Sequence, residues 1–206
     1  MQPNLKFQIF RLVRSQFEHC LPSERTIKGW MESLDGKPGV SLEVLEHLKQ
    51  INSQSQIYAS LSLDEMAIKT GNFFDGKQFR GQVDLGIDEE INNDINSNIK
   101  LAHQALVFFL VALNCHWKIS VGYIFISAMS AVERLKIIQK CLQKIEETGV
   151  IVTNITFDAP SVNISLLQKL GGSISPNNIQ PRTSFEKYPR FILLDNAHML
   201  KERLFK

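Results

Sequence analysis

The sequence contains little cysteine: Cys20, Cys115 and Cys141 are the three in 206 residues. Their odd number and wide spacing suit a reducing compartment better than a disulfide framework. No Cys-x-x-Cys pair occurs, which argues against a zinc finger among these residues, because tetrahedral zinc needs clustered Cys and His ligands. Long apolar runs are also missing. The most apolar stretch, Ala105 to Leu113, falls far short of the ~20 residues a membrane helix needs. Met1 to Phe10 lacks the basic, apolar and small-residue succession of a secretory signal. We therefore expect a soluble intracellular protein with no membrane among its partners. There is little excess of either charge, 23 Lys plus Arg standing against 21 Asp plus Glu for a net +2. That balance gives no bulk argument for nucleic acid, so any DNA-binding surface must be local. P-loop, His-Glu-x-x-His and Gly-x-Ser-x-Gly motifs are absent, which removes the common signatures of nucleotide hydrolysis, zinc proteolysis and serine hydrolysis. Gly171-Gly172 lacks the spaced glycines of a dinucleotide site and reads as a helix stop.

What is present is a globular composition, 44% hydrophobic and 21% charged, without low-complexity tracts. The length allows one large domain, or a domain of roughly 150 residues with an N-terminal appendage. The first fifty residues read as helical and rather polar. Leu5, Ile9, Leu12 and Val13 recur at helical spacing, and Ser23 and Ser41 stand where N-caps start two further helices. Asp35-Gly36-Lys37-Pro38-Gly39 is a loop by its turn chemistry. From Ile57 the texture changes to short β-branched and aromatic runs, which predicts a boundary near Asn52 to Gln56. A helical segment over 1–55 would then precede a domain over 56–206.

Strand-type runs cover Ile57 to Met66, Gln78 to Gly86 and Ala105 to Leu113, with a continuation over Trp117 to Ser127. Asp75-Gly76 supplies a hairpin turn between the first two. Ile87 to Lys100, rich in Asn and acids, reads as a solvated loop. Helical spacing of Val132, Leu135, Ile138, Cys141, Leu142 and Ile145 predicts a helix from Ala131 to Glu147, stopped near Gly149. Ile151 to Phe157 is almost wholly apolar, as in a strand buried on both faces of a parallel sheet. A helix from about Ser161 to Leu170 and a strand from Phe191 to Leu194 complete the pattern. The expected fold is α/β: three antiparallel strands, then parallel strands joined by crossover helices, in one mixed sheet behind a small helical segment.

Asp64 falls within the first strand and Asp158 directly after the apolar strand Ile151 to Phe157. Open α/β sheets place functional groups at the carboxyl ends of strands, and a carboxylate in an apolar strand needs compensation. A divalent cation is one remedy. Two aspartates on neighbouring strands with a third acid can hold two Mg²⁺ or Mn²⁺ ions about 3.5–4 Å apart for phosphodiester cleavage or transfer. Glu65 adjoins Asp64 but alternates to the other face, so the two cannot serve one metal. The plainer reading makes Asp64 a hydrogen-bonded strand acid and Asp158 a helix N-cap ahead of Pro160.

At these residues the sequence resembles the P-element transposases and their relatives that carry a THAP zinc finger. The resemblance runs from about Leu21 to Lys201. It is carried by Leu21-Pro22-Ser23-Glu24-Arg25-Thr26 leading to Trp30, the Asp35 to Gly39 loop, Leu63-Asp64-Glu65-Met66-Ala67-Ile68 and Gly81-Gln82-Val83-Asp84-Leu85-Gly86. Ala105-Leu106-Val107-Phe108 and Asn114-Cys115-His116-Trp117-Lys118 with Val121-Gly122-Tyr123 follow. The last pieces are Thr156-Phe157-Asp158 with Ser161-Val162-Asn163, and Asp195-Asn196-Ala197-His198-Met199-Leu200-Lys201. The joint order of these pieces, more than any one of them, is specific.

The resemblance implies an RNase H-like fold in which Asp64 and Asp158 match the first two acids of a catalytic triad using Mg²⁺ or Mn²⁺. It implies DNA, transposon ends or genomic, as partner, a nuclear location, and further copies of the chain as an open option. In the family a GTP-binding insertion and a helix bearing the third acid, a glutamate, come later. We expect both to be missing from these 206 residues, together with the N-terminal zinc finger, so GTP is not expected as a cofactor. Two functions then stand: metal-dependent DNA cleavage and strand transfer, or a transposon-derived DNA-binding or interaction protein without catalysis. Asp195 is the local candidate for a further metal ligand, against a capping role shared with His198. Ala159 stands where the family commonly has glycine, and Glu202-Arg203-Leu204 departs from its closing helix.

Basic residues give weaker hints. Lys136, Lys140 and Lys144 form an i, i+4, i+8 stripe able to follow a phosphate backbone, or an ordinary solvated helix face. Arg25, Lys28 and Lys37 flank helices that resemble the family's helix-turn-helix region. Cys115-His116 reads as a structural turn.

Overall fold

In a computed structural model the described residues are 5–17, 20–27, 36–74, 79–86, 100–175, 177–183 and 189–195. The Asp75-Gly76 turn, most of the Ile87 to Lys100 loop, Trp30, Lys28 and His198 lie outside them. The chain divides into two compact units, Met1–Lys37 and Pro38–Lys206.

The first unit holds helix α1, Leu5–Gln16, and a helical turn over 24–27. Ser23 caps that turn as expected, its Oγ accepting from the Thr26 N–H at 3.1 Å. Arg11 pairs with Glu24 at 2.5 Å, and Arg14 Nε donates to the Leu21 carbonyl at 2.9 Å.

The second unit begins at Pro38, ahead of the boundary expected near residues 52–56. Strand β1, Gly39–Val40, enters its sheet, and helix α2, Leu42–Asn52, is capped by Ser41 as predicted. Leu45 and Leu48 of α2 join the main hydrophobic core, Leu48 with no exposed surface. The polar surface of α2 makes it read as an appendage, whereas its two buried leucines tie it to the sheet.

The sheet contains β2 (Tyr58–Ala67), β5 (Gln104–Ala112), β6 (Lys118–Ile126), β7 (Ile151–Phe157) and β10 (Phe191–Leu194), in spatial order β1-β6-β5-β2-β7-β10. β2, β5 and β6 form an antiparallel meander, while β7 and β10 run parallel to β2. The crossovers are helix α3, Ala131–Glu146, and helix α4, Ser161–Lys169. Ser130 and Glu133 start α3 with a capping box, and Gly149 follows its end at φ 82°, a backbone region that favours glycine.

One strand expectation is corrected. Gln78 to Gly86 does not form the second strand of the meander. Phe79–Arg80 (β4) instead pairs with Phe73–Phe74 (β3) in a separate hairpin, and beyond it Gln82 and Asp84 make only isolated bridges. Gly81 at φ 105° and Gly86 at φ 57° interrupt extended backbone, so the run cannot continue as a strand. A second short hairpin joins β8 (Ser173–Ser175) to β9 (Asn178–Gln180).

Alternation along the strands sends Leu61 and Leu63 of β2, Phe108 and Leu110 of β5 and Ile155 and Phe157 of β7 into the core, against Ile138, Leu142, Leu166 and Leu167 of α3 and α4. Each such side chain contributes about 1.5–3 kcal/mol on burial. β7 departs from the expected double burial. Its Asn154 and Thr156 are half-buried on the face away from the core, where the Asn154 amide donates to Ser60 Oγ at 2.6 Å.

Candidate functional site

The register between β2 and β7 decides where the carboxylates meet. Tyr58 and Ala59 pair with Ile151 and Val152, then the register slips: Ser60, Leu61 and Ser62 pair with Asn154, Ile155 and Thr156. Thr153 is the extra residue, and its hydroxyl donates to the Ala59 carbonyl at 3.3 Å. Because side chains alternate with a period of two, a one-residue slip exchanges faces. Continued two residues beyond Ser62 and Thr156, the shifted register sets Asp64 beside Asp158. Without the bulge, Asp64 would face Phe157.

Asp64 and Asp158 line one cavity of about 340 Å³, shared with Ser62, Thr156, Lys118 and Asp195. Asp195 arrives there because its N–H donates to the Phe157 carbonyl at 2.9 Å, extending the β7–β10 ladder past the last strand residue. The structure thus brings together the three acids singled out in the sequence. Among the described residues, however, no group of three or more His, Cys, Asp or Glu side chains is placed to hold a metal ion. Ser62, Thr156 and the two aspartates offer hard oxygen donors, the kind that Mg²⁺ and Mn²⁺ take, and Mg²⁺ commonly uses one or two carboxylates with water and substrate phosphate. The donor set fits such an ion with two protein carboxylates.

Asp158 does not act as the N-cap of α4. Pro160 occupies that position without a side-chain cap bond, and one Asp158 carboxylate oxygen accepts from Asn163 Nδ2 at 2.5 Å. Glu65 lies on the helix side of β2, as alternation predicts, and pairs with Arg134 of α3. Arg134 Nη1 in turn donates to Asn163 Oδ1 at 3.2 Å. Arg134 and Asn163 are 7% and 3% exposed, so this polar chain is buried. The sequence reading gives neither residue a role in the site, although Asn163 belongs to a motif of the resemblance and Arg134 shares its helical stripe with Ile138 and Cys141, a place where an arginine needs a partner. Lys118 belongs to a motif of the resemblance but is given no role there, and the closing of β6 against β5 brings it to the cavity.

Lys136, Lys140 and Lys144 do not reach this cavity. Lys140 and Lys144 border a separate small depression with Gly39, Val40 and Gly86. Cys115 and His116 lie in the turn between β5 and β6. Cys141 faces the core, where burial pushes its thiol up to about 12. Hydrogen bonds from the Ser130 hydroxyl and backbone hold the Glu133 carboxyl below its ordinary value.

The five-strand order β6-β5-β2-β7-β10, with acids at β2 and just past β7, is that of an RNase H-like domain. A family model described as the TNP-like RNase H N-terminal domain matches residues 36–171, and the chain belongs to that family. Human DNA transposase THAP9 is 22% identical over 191 residues, covering 88% of this chain and 20% of the relative. The Drosophila P element transposase strand transfer complex is similar in structure, with a TM-score of 0.59 and 19% identity over 94% of this chain and 39% of that one. The chain therefore spans about a fifth of the human relative's length. Among the described residues no helix is long and apolar enough to cross a membrane.

Proposed function

We propose that this chain forms part of the catalytic domain of a DNA transposase, with Asp64 and Asp158 holding Mg²⁺ or Mn²⁺ for phosphodiester cleavage and strand transfer. The observation that carries the reading is the bulge at Thr153, after which Asp64 of β2 and Asp158 just past β7 fall on one face and line one cavity. When bound, the ion would polarise a phosphate oxygen and activate the attacking oxygen. Asp64 and Asp158 orient it, and Lys118 at the cavity wall offers a positive charge to a phosphate of the DNA. DNA as substrate and a nuclear location follow from the likeness to the transposases. Asp195 borders the site as a candidate further ligand or positioning group. Self-association is part of the same reading, because it is open to the family.

A second reading is a transposon-derived protein that binds DNA or a partner without catalysis. It is favoured by the lack of a three-acid cluster among the described residues. A Mn²⁺-dependent nicking and strand-transfer assay on DNA with terminal inverted repeats separates the two. Activity in the wild-type chain that disappears in Asp64→Ala and Asp158→Ala supports catalysis. Equal activity in wild type and variants, or none in either, sinks it, and salt-dependent DNA binding without cleavage supports the second reading.

A further inference from the structure

We infer that Asn163 is a positioning residue for Asp158, held in place by Arg134, whose charge Glu65 balances. This rests on the reading of Asp158 as a metal ligand. Arginine has only donors. The Arg134 contact at 3.2 Å therefore requires the Asn163 oxygen on the α3 side, which turns the amide nitrogen toward Asp158. That nitrogen donates to the Asp158 carboxylate at 2.5 Å and also meets the Asp158 backbone carbonyl at 3.3 Å. A carboxylate just beyond a strand end, with several rotamers open to it, is thereby tied to one.

The arrangement gives the adjacent acids of β2 different tasks. Asp64 faces the cavity with Asp158. Glu65 faces the helices, where it supplies a carboxylate to the charge of the buried Arg134. One strand thus supplies a carboxylate to the site and, through Arg134 and Asn163, supports the carboxylate on the neighbouring strand. Outer hydrogen-bond partners of metal-binding carboxylates have this effect on affinity generally.

The test measures Mn²⁺ affinity by electron paramagnetic resonance, and the Asp158 side-chain rotamer by three-bond couplings to its β-protons, in the 206-residue chain. In Asn163→Ala the Mn²⁺ affinity should fall about tenfold or more, and the Asp158 couplings should move from one rotamer to an average. The double variant Glu65→Leu/Arg134→Met removes both charges together. It should keep a near wild-type unfolding midpoint, since buried ion pairs are commonly replaceable by apolar side chains, yet lose Mn²⁺ affinity as Asn163→Ala does. If Asn163→Ala does not fold, Asn163→Ser carries the same two readouts. Unchanged affinity together with an unchanged single rotamer overturns the positioning role. A lowered midpoint with both readouts unchanged would make Asn163 merely structural and overturns the role as well. If wild type and Asp158→Ala bind Mn²⁺ equally, it is the metal reading that fails, and the couplings still decide whether Asn163 holds Asp158.

Discussion

Asp64 and Glu65 are neighbours in the chain and lie on opposite faces of β2, the first open to the cavity beside Asp158 and the second paired with the buried Arg134. Their substitutions should therefore separate. Asp64→Asn removes charge from an exposed position, and its unfolding free energy should stay within about 0.5 kcal/mol of wild type while Mn²⁺ binding is lost. Glu65→Gln removes the charge paired with the buried Arg134 and should cost about 3 kcal/mol, the lower end of that range because the Glu65 side chain keeps 19% of its surface exposed. Urea unfolding of the two variants checks the contrast.

Thr153 makes the bulge that places Asp158 on the face of Asp64. Deleting it joins Val152 to Asn154 and so turns the pairings Ala59 with Val152 and Ser60 with Asn154 into one unbroken ladder, with Ile155 and Phe157 still toward the core and Asp158 still on the face of Asp64. We expect cooperative folding to survive the deletion, visible as a single urea transition with a near wild-type slope, whereas a second residue deleted from β7 should reverse the faces and broaden it. Thr153→Val keeps the extra residue and loses the hydroxyl's contacts to the Ala59 carbonyl and Asn154 Oδ1, so it should fold, at a cost of about 1 kcal/mol.

Phe108 and Phe109 offer the same contrast on β5. Phe108 is 1% exposed in the core and Phe109 is 38% exposed on the cavity face. Phe108→Ala should cost about 3–5 kcal/mol through lost burial and the void left behind. Phe109→Ala should cost less than about 1 kcal/mol. Denaturant midpoints measured side by side provide the comparison.

Cys141 holds its proton more tightly in the folded state, the thiol being pushed up to about 12 from an ordinary value of 9.0 by burial, with nearby Lys144 opposing weakly. A folded value above the unfolded one means that this contribution to stability is complete below about pH 9 and is lost as pH rises toward 12. Cys141→Ala should flatten the alkaline fall in stability over that window. Under native conditions iodoacetamide should label exposed Cys20 and spare Cys141, as mass spectrometry of the digested protein can show.

Much of the fold is legible in the sequence. The helix over α3, the strands at β2, β5, β7 and β10 and the caps at Ser23 and Ser41 follow from local causes: hydrophobic period, β-branched composition and a hydroxyl at a helix start. The motifs around Asp64 and Asp158 carry the resemblance to the transposases, which the fold and the family match sustain. Gln78 to Gly86 misleads because its apolar alternation suits a strand, while the positive φ at Gly81 and Gly86 becomes visible only in three dimensions. The inclusion of α2 in the second unit is hidden for a related reason, since two leucines on a polar helix do not announce what they pack against.

By itself the sequence determined the elements, the opposite facing of Asp64 and Glu65 and the family likeness, because each depends on spacing along one segment. Only the tertiary structure decided that Asp64 lies beside Asp158, that Lys118 and Asp195 share their cavity, and that Arg134 and Asn163 stand behind Asp158 while the lysine stripe of α3 does not border that cavity. Those relations rest on the register between strands more than ninety residues apart and on the packing of two helices against them. No local pattern encodes a one-residue slip at Thr153.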